Sequence, residues 1–324
     1  MIKVGIVITT YNLEKYISKA LDSILEQQTS YDYKIFIADD CSQDNTISII
    51  RKYKEKYNDK IELILSNKNL GSLKNSNRVF DHLECEYFSF LDGDDYWVGV
   101  DRLQKQIDFL NSHPQYMMCG GNTQYLRDGE LKDFVIPQNL TNKTYSFSDL
   151  LVDKIPFIHT SSIMVRNSIF INGLPDCFLN AEDTFENCAL RGEDFRRLLH
   201  LEKGPIYVMN DTISVYRIHS KGLWQSSSSV KKMIEHTISA NFYKKYFGDK
   251  YGAYFNEKAK MAYRNLMRSF VSNYSIMEGY NLSAEETRLF TSLLNDLSIH
   301  NSLPCEEQHK FRNKIRRILL KLFF

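Results

Sequence analysis

Three carboxylates, Asp92, Asp94 and Asp95, fall within four positions of the stretch FLDGDDYW (90–97), directly behind the apolar run Tyr87–Leu91. Carboxylates this close repel unless a positive charge neutralises them, so the stretch is either a solvated turn or a seat for a cation. Other apolar runs end in similar polar clusters. These are Thr9-Thr10-Tyr11-Asn12, Asp39-Asp40-Cys41-Ser42 with Asp44 and Thr46 behind it, and Asn67-Lys68-Asn69-Leu70-Gly71. Taken singly, each passes for a turn or a helix cap, as Asp44 does ahead of NTISII. Taken together they favour a site for a cation and a ligand carrying hydroxyls. A further pair, Glu193-Asp194, opens the run DFRRLLHL. Its bland reading is a charge pair favoured by the positive end of a helix.

Strand–helix alternation would bring these clusters together. Val4–Thr10 is apolar and β-branched, and Ile17, Leu21, Ile24 and Leu25 follow at helical spacing. The pattern repeats with strands over 34–39, 61–65 and 87–91 and helices over 45–57, 72–83 and 101–112. Four such units predict an α/β fold with a mainly parallel sheet covered on both faces. Ligands of such sheets sit beyond the carboxyl ends of the strands, where the polar clusters lie. After Pro114 the pattern turns to mixed short strands over 117–126, 161–167 and 206–211. Beyond residue 228 it predicts helices only, with a boundary at Ser226–Ser229.

The 324 residues exceed an ordinary single domain, and a hydrophobic share of 43% with 25% charged residues is that of a globular chain. The net charge of +1 conceals an asymmetry: residues 1–230 carry 25 Lys/Arg against 31 Asp/Glu, and residues 231–324 carry 16 against 9. An acidic first part without a basic, aromatic-interleaved stripe argues against nucleic acid as a partner. Six scattered cysteines show neither a CxxC pair nor zinc spacing, which predicts reduced thiols. No three-part signal peptide and no run of about 20 apolar residues is present, so a cytoplasmic location is expected.

In ITTYN (8–12), ADDCSQDNT (38–46), NLG (69–71), FLDGDDYW (90–97), HTSSIMVR (159–166), RGEDFRRLLHL (191–201) and YRIH (216–219), the sequence resembles the family 2 inverting glycosyltransferases of the GT-A fold, of the bacterial surface-polysaccharide type. The resemblance covers roughly residues 2–220. A DxD alone is a weak signal; DDxSxDxT followed by an apolar-DxDD about fifty residues on is specific. It implies a GT-A domain over 1–227, with a nucleotide-sugar-binding half (1–115) and an acceptor half (116–227), followed by a C-terminal helical region over 228–324. It also implies an enzyme that moves one sugar from a nucleotide-diphosphate donor, UDP-linked in most of the family, to a glycan or lipid-linked acceptor. Mn2+ or Mg2+, suited to hard oxygen ligands, would neutralise the departing diphosphate.

By the same resemblance Asp94, Asp95 and His219 are the expected metal contacts, and Thr9, Tyr11, Asn12, Asp40, Asn69, Asp92 and Asp94 the donor contacts. Asp39 stands open between a nucleoside contact and a loop cap. Asp194 takes the general-base position, with Glu182-Asp183 a rival pair upstream. Thr160, Ser161 and Glu193 are expected to meet the acceptor, and Arg217 and Lys221 are further diphosphate candidates. The terminal stretch KFRNKIRRILLKLFF has six basic residues and no acidic one, the composition of an amphipathic helix lying on anionic lipid. Packing on the protein body or on a second subunit stands beside that reading. The enzymatic alternative is a sugar-1-phosphate nucleotidyltransferase, although TTYN stands where its Gly-rich loop would be. A catalytically silent glycan-binding or scaffolding protein is the alternative of another class.

Overall fold

The computed structural model describes residues 2–220, 222, 225, 227–272, 283–286, 288, 289 and 292. Lys221 and the terminal stretch 305–324 lie outside the described residues. The chain forms two compact units, Met1–Asp183 with Leu190–Ser226, and Thr184–Ala189 with Ser227–Phe324.

The first unit begins with β1 (Ile2–Thr10), α1 (Ile17–Leu25), β2 (Tyr33–Asp39), α2 (Thr46–Lys56), β3 (Ile61–Leu65), α3 (Ser72–Phe80) and β4 (Cys85–Asp92). Val4, Ile6, Val7 and Ile8 of β1 are fully buried, as a strand covered on both faces requires. Ile17, Ala20, Leu21 and Ile24 form the buried stripe of α1. Each buried Val, Ile or Leu among them contributes about 1.5–3 kcal/mol of burial. β1, β2, β3 and β4 pair in parallel, and the register sets Thr10 opposite Asp39 and Thr9 opposite Asp92. The polar ends of these strands therefore meet along one edge.

Beyond β4 come β5 (Tyr96–Trp97), α4 (Arg102–Ser112), β6 (Met118–Arg127), β7 (Glu130–Phe134), β8 (Lys143–Tyr145), α5 (Phe147–Leu150), β9 (Met164–Arg166), α6 (Asp176–Ala181), α7 (Asn187–Leu190), α8 (Glu193–Lys203) and β10 (Ile206–Ile218). The sheet order among the described residues is β3-β2-β1-β4-β9-β6-β10-β5, with β7 on β6 and β8 on β10. β9 is antiparallel to both neighbours, β4 and β6, and joins the parallel half of the sheet to the rest. β6 and β7 form a hairpin whose turn, Asp128-Gly129, has φ of 53° and 81°, the mirror-image turn that matches strand twist.

Two expectations are corrected. A strand over 161–167 is expected, but Thr160–Ser162 is a 3-10 turn and only Met164–Arg166 is strand. The Ser162 hydroxyl donates to the His159 carbonyl and the His159 ring accepts the Ser161 N–H, which gives the backbone a local alternative to the ladder. The last strand runs to Ile218 rather than ending near 211, because its pairing with β6 resumes after register shifts between Val208 and Ser214.

In the second unit α9 (Ser229–Ser272) leaves helical geometry at Tyr251 (φ −130°, ψ 28°). Ile234, Ile238, Leu266 and Leu289 make its core, and Phe247 stacks on Phe255 across the break at 5.0 Å between ring centres. No helix among the described residues is long and apolar enough to cross a membrane.

Candidate active site

The loops behind β1 and β2 lock together first. Asp39 is fully buried, and its carboxylate accepts the Thr10 hydroxyl at 2.8 Å and the Ser42 N–H and hydroxyl at 2.8 and 2.6 Å. Of its two open readings the structure shows the loop cap. The Asp40 carboxylate accepts the backbone N–H groups of Leu70 (2.6 Å) and Gly71 (2.9 Å), and so ties the NLG loop to the end of β2. Asn69 stands exposed on that loop, with its side-chain oxygen accepting the Gly71 N–H at 3.2 Å. Asn12, at φ 54°, donates its N–H to the Ser42 hydroxyl and accepts the Gln43 N–H. Thr9 is half-buried beside Asp92, and the Tyr11 ring is left exposed.

β4 delivers Asp92, and the turn behind it needs Gly93. A Cβ there would lie 2.9 Å from Leu13 Cδ1 and 3.2 Å from the Thr9 carbonyl oxygen. Asp94 accepts a hydrogen bond from, or pairs with, His219 Nε2 at 2.9 Å. The His219 ring lies 4.7 Å from that of Tyr16, and its buried Nδ1 has no partner. Asp95 is 1% exposed and accepts the Ser161 hydroxyl at 3.0 Å and the Arg217 N–H at 2.9 Å. The Arg217 side chain donates to the Asp94 carbonyl and lies over the rings of Tyr16 and Tyr96. His159, buried and stacked on Tyr216 at 4.4 Å, points Nε2 at Asp95 from 3.7 Å.

Uncompensated negative charge dominates this cluster. Burial, then Asp94 and Glu193, push the Asp92 carboxyl up to about 7, with Arg196 opposing. Burial, then Asp94 and Asp92, raise Asp95 well above the usual carboxylate range, against its two hydrogen bonds. Burial holds the His159 imidazole down at about 4, so it adds no positive charge near neutrality. Carboxylate and imidazole ligand atoms of Asp92, Asp95 and His159 all lie within 4.8 Å of one another. Such a group fits a divalent cation that its own side chains do not replace.

Thus Asp92, Asp94, Asp95, His219 and Arg217 come together as expected. His159 joins them although only the HTSS motif around it had drawn notice; a polar run opening into apolar Ile163–Val165 was its one sequence signal. The expected acceptor contact Ser161 is fully buried and bonded to Asp95, and Thr160 is also buried, so neither hydroxyl stands open to solvent. Glu193 acts on Asp92, lining a largely apolar cavity with Phe88, Phe90, Thr160 and Arg196. Asp194, on the same first turn of α8, has its side chain 61% exposed and pairs with Arg197 at 2.5 Å. Of the rival pair, Glu182 accepts from Asn77 and Asp183 from Lys74.

Residues 5–174, just over half of the chain, match the model of glycosyl transferase family 2. The uncharacterised protein Rv1520 of Mycobacterium tuberculosis is 30% identical over 69% of this chain and 61% of its own length. The poly(ribitol-phosphate) beta-N-acetylglucosaminyltransferase TarS of Staphylococcus aureus is 26% identical over 71% of this chain and 38% of its own. The chain thus spans about three fifths or less of the length of these relatives. The crystal structure of S. aureus TarS 1–349 in complex with UDP-GlcNAc superposes with a TM-score of 0.57 at 19% identity, covering 91% of this chain and 80% of that one, and so shares its fold. The acidic turn at the end of a parallel strand and the match over residues 5–174 agree: the protein is a member of glycosyl transferase family 2, with a GT-A fold.

Proposed function

We propose that the protein moves one sugar, with inversion, from a UDP-linked donor to a hydroxyl of a glycan or lipid-linked acceptor during surface-polysaccharide formation. The observation that carries this is the trio of half-buried Asp92 and Asp94 with buried Asp95 at the end of β4, ringed by His159, His219 and Arg217 and short of positive charge. TarS, a UDP-GlcNAc binder of the same fold, supports the choice of donor.

The donor set suits Mn2+ or Mg2+: carboxylate oxygens are hard ligands, and an imidazole favours Mn2+ of the two. Asp94, Asp95 and His219, with Asp92 beside them, would hold it, and the shortage of positive charge around the three carboxylates supports this reading. The cation supplies charge neutralisation for a diphosphate leaving group. Tyr11 offers a ring face to the base, the loop held by Asp40 borders the nucleoside, and Arg217 places its guanidinium for the diphosphate. Asp194 takes the proton of the acceptor hydroxyl as that oxygen bonds to the anomeric carbon. The bond from that carbon to the diphosphate oxygen breaks on the opposite face, and the electron pair leaves with the diphosphate. Arg197 orients the base, and Glu193 reaches from the same turn toward the acidic trio. The basic stretch 310–321, read from sequence, provides contact with the anionic membrane surface where lipid-linked acceptors reside.

A panel of nucleotide sugars with and without Mn2+ tests the assignment. One donor should bind in a metal-dependent way, and Asp194→Asn should retain that binding while losing transfer by 10²–10⁴-fold, the usual worth of a general base. Metal-independent binding of a glycan with no donor turned over refutes it.

A further inference from the structure

Arg102 is 1% exposed, among the largest fully buried side chains of the protein. Among the described residues its guanidinium meets no carboxylate. Its hydrogen bonds go to the Ser161 carbonyl (2.5 Å), the Ser89 hydroxyl (2.9 Å) and the Gln106 side-chain oxygen (2.9 Å), and its Cζ lies over the Trp97 ring, 3.8 Å from the ring centre. The Trp97 indole N–H reaches the same Ser161 carbonyl at 3.0 Å, and the Gln106 amide donates to the Ser162 carbonyl at 3.0 Å. Helix α4 and β5 thereby grip the rear of the 160–162 turn through its carbonyls. The front of that turn holds one carboxylate of the trio: the Ser161 hydroxyl donates to Asp95, and His159 stands one residue before the turn with its Nε2 toward the same carboxylate.

Burying a cation away from any acid is costly, and the cost is offset here only by the three directed bonds and the ring face. A planar five-donor fork can serve such acceptors at once; an ammonium cannot. We infer that Arg102 is a positioning residue for the cation seat: through the Ser161 carbonyl it sets the turn that orients the Ser161 hydroxyl and His159 on Asp95. The inference rests on the reading of Asp92, Asp94 and Asp95 as that seat.

The test is Mn2+ affinity of the full chain, measured by calorimetry in the absence of any sugar, alongside thermal unfolding. Removing the partner of a metal-holding carboxylate costs 10–100-fold in metal affinity. Ser161→Ala is therefore expected to weaken Mn2+ binding at least tenfold, and Arg102→Lys to weaken it severalfold to tenfold. Ile50→Ala, a core truncation on α2, supplies a destabilised control and should leave Mn2+ affinity unchanged. Folded Ser161→Ala or Arg102→Lys protein that binds Mn2+ as the wild type does overturns the inference, as does an equal loss in Ile50→Ala at a matched fall in melting temperature. Should Arg102→Lys fail to fold, Ser161→Ala decides alone, because it cuts the same link at its other end. A wild-type protein that binds no Mn2+ removes both the inference and the proposed function, which separates that failure from the others.

Discussion

Asp92→Asn should make the metal-free protein more stable at pH 8, although it deletes a residue of the site. The Asp92 carboxyl stands at about 7 in the folded chain against an ordinary 3.8; at 1.36 kcal/mol per unit that difference caps its destabilising contribution at about 4 kcal/mol, and because the side chain is only partly buried, solvent screening brings it to roughly 1–2 kcal/mol. The sign follows from which state holds the proton. Between pH 3.8 and about 7 the folded chain keeps a proton that the unfolded chain releases, so stability falls as pH rises through that window, and the whole cost is present above it. Asparagine mimics the protonated form and carries no such cost. For a unit of this size about 1 kcal/mol moves the melting temperature by 2–4 °C, so a gain of several degrees is expected at pH 8 and little or none near pH 4. Mn2+ should reverse the order. At 100 times its dissociation constant it adds about 2.7 kcal/mol to the wild type and less to the variant. The assay is thermal unfolding at pH 4, 6 and 8, with chelator or with Mn2+. A variant no more stable than wild type at pH 8 in chelator would show that the trio is already neutralised and would remove the physical case for a cation.

Gly93→Ala pushes a methyl to 2.9 Å from Leu13 Cδ1 and 3.2 Å from the Thr9 carbonyl oxygen, so a loss of about 1–3 kcal/mol by denaturant unfolding is expected, with weaker donor binding because the acidic turn must shift. Removing residues 305–324 should abolish binding to anionic vesicles at low salt and leave soluble-acceptor transfer intact; about 1 kcal/mol per basic side chain near the surface makes that loss easy to see by co-sedimentation. Equal vesicle binding by the shortened chain would assign the basic stretch to a protein surface instead.

The parallel half of the fold was legible because each strand is a short β-branched run and each helix a stripe at 3.6 spacing, both local signals. The polar strand ends were legible for a related reason, since parallel register carries every carboxyl end to one edge and turns separate motifs into one site. Less of the second half could be read. The 160–162 turn depends on side chains bonding their own backbone, and β9 on a place between two strands distant in sequence. Nothing near Arg102 in the sequence announces that its bonds lie at Ser89 and Ser161, residues far from it along the chain. Which of Glu193 and Asp194 turns inward is a matter of where α8 begins its first turn, a detail finer than any periodicity.

The hairpin of β6 and β7 offers a practical handle. All five residues of β7 face solvent, and its tight turn at Asp128-Gly129 is made by a pair whose geometry no core packing enforces. Extra chain spliced between those two residues disturbs only an outer ribbon. A fluorophore or affinity tag placed there would report on the enzyme without touching the strands that deliver its acidic residues.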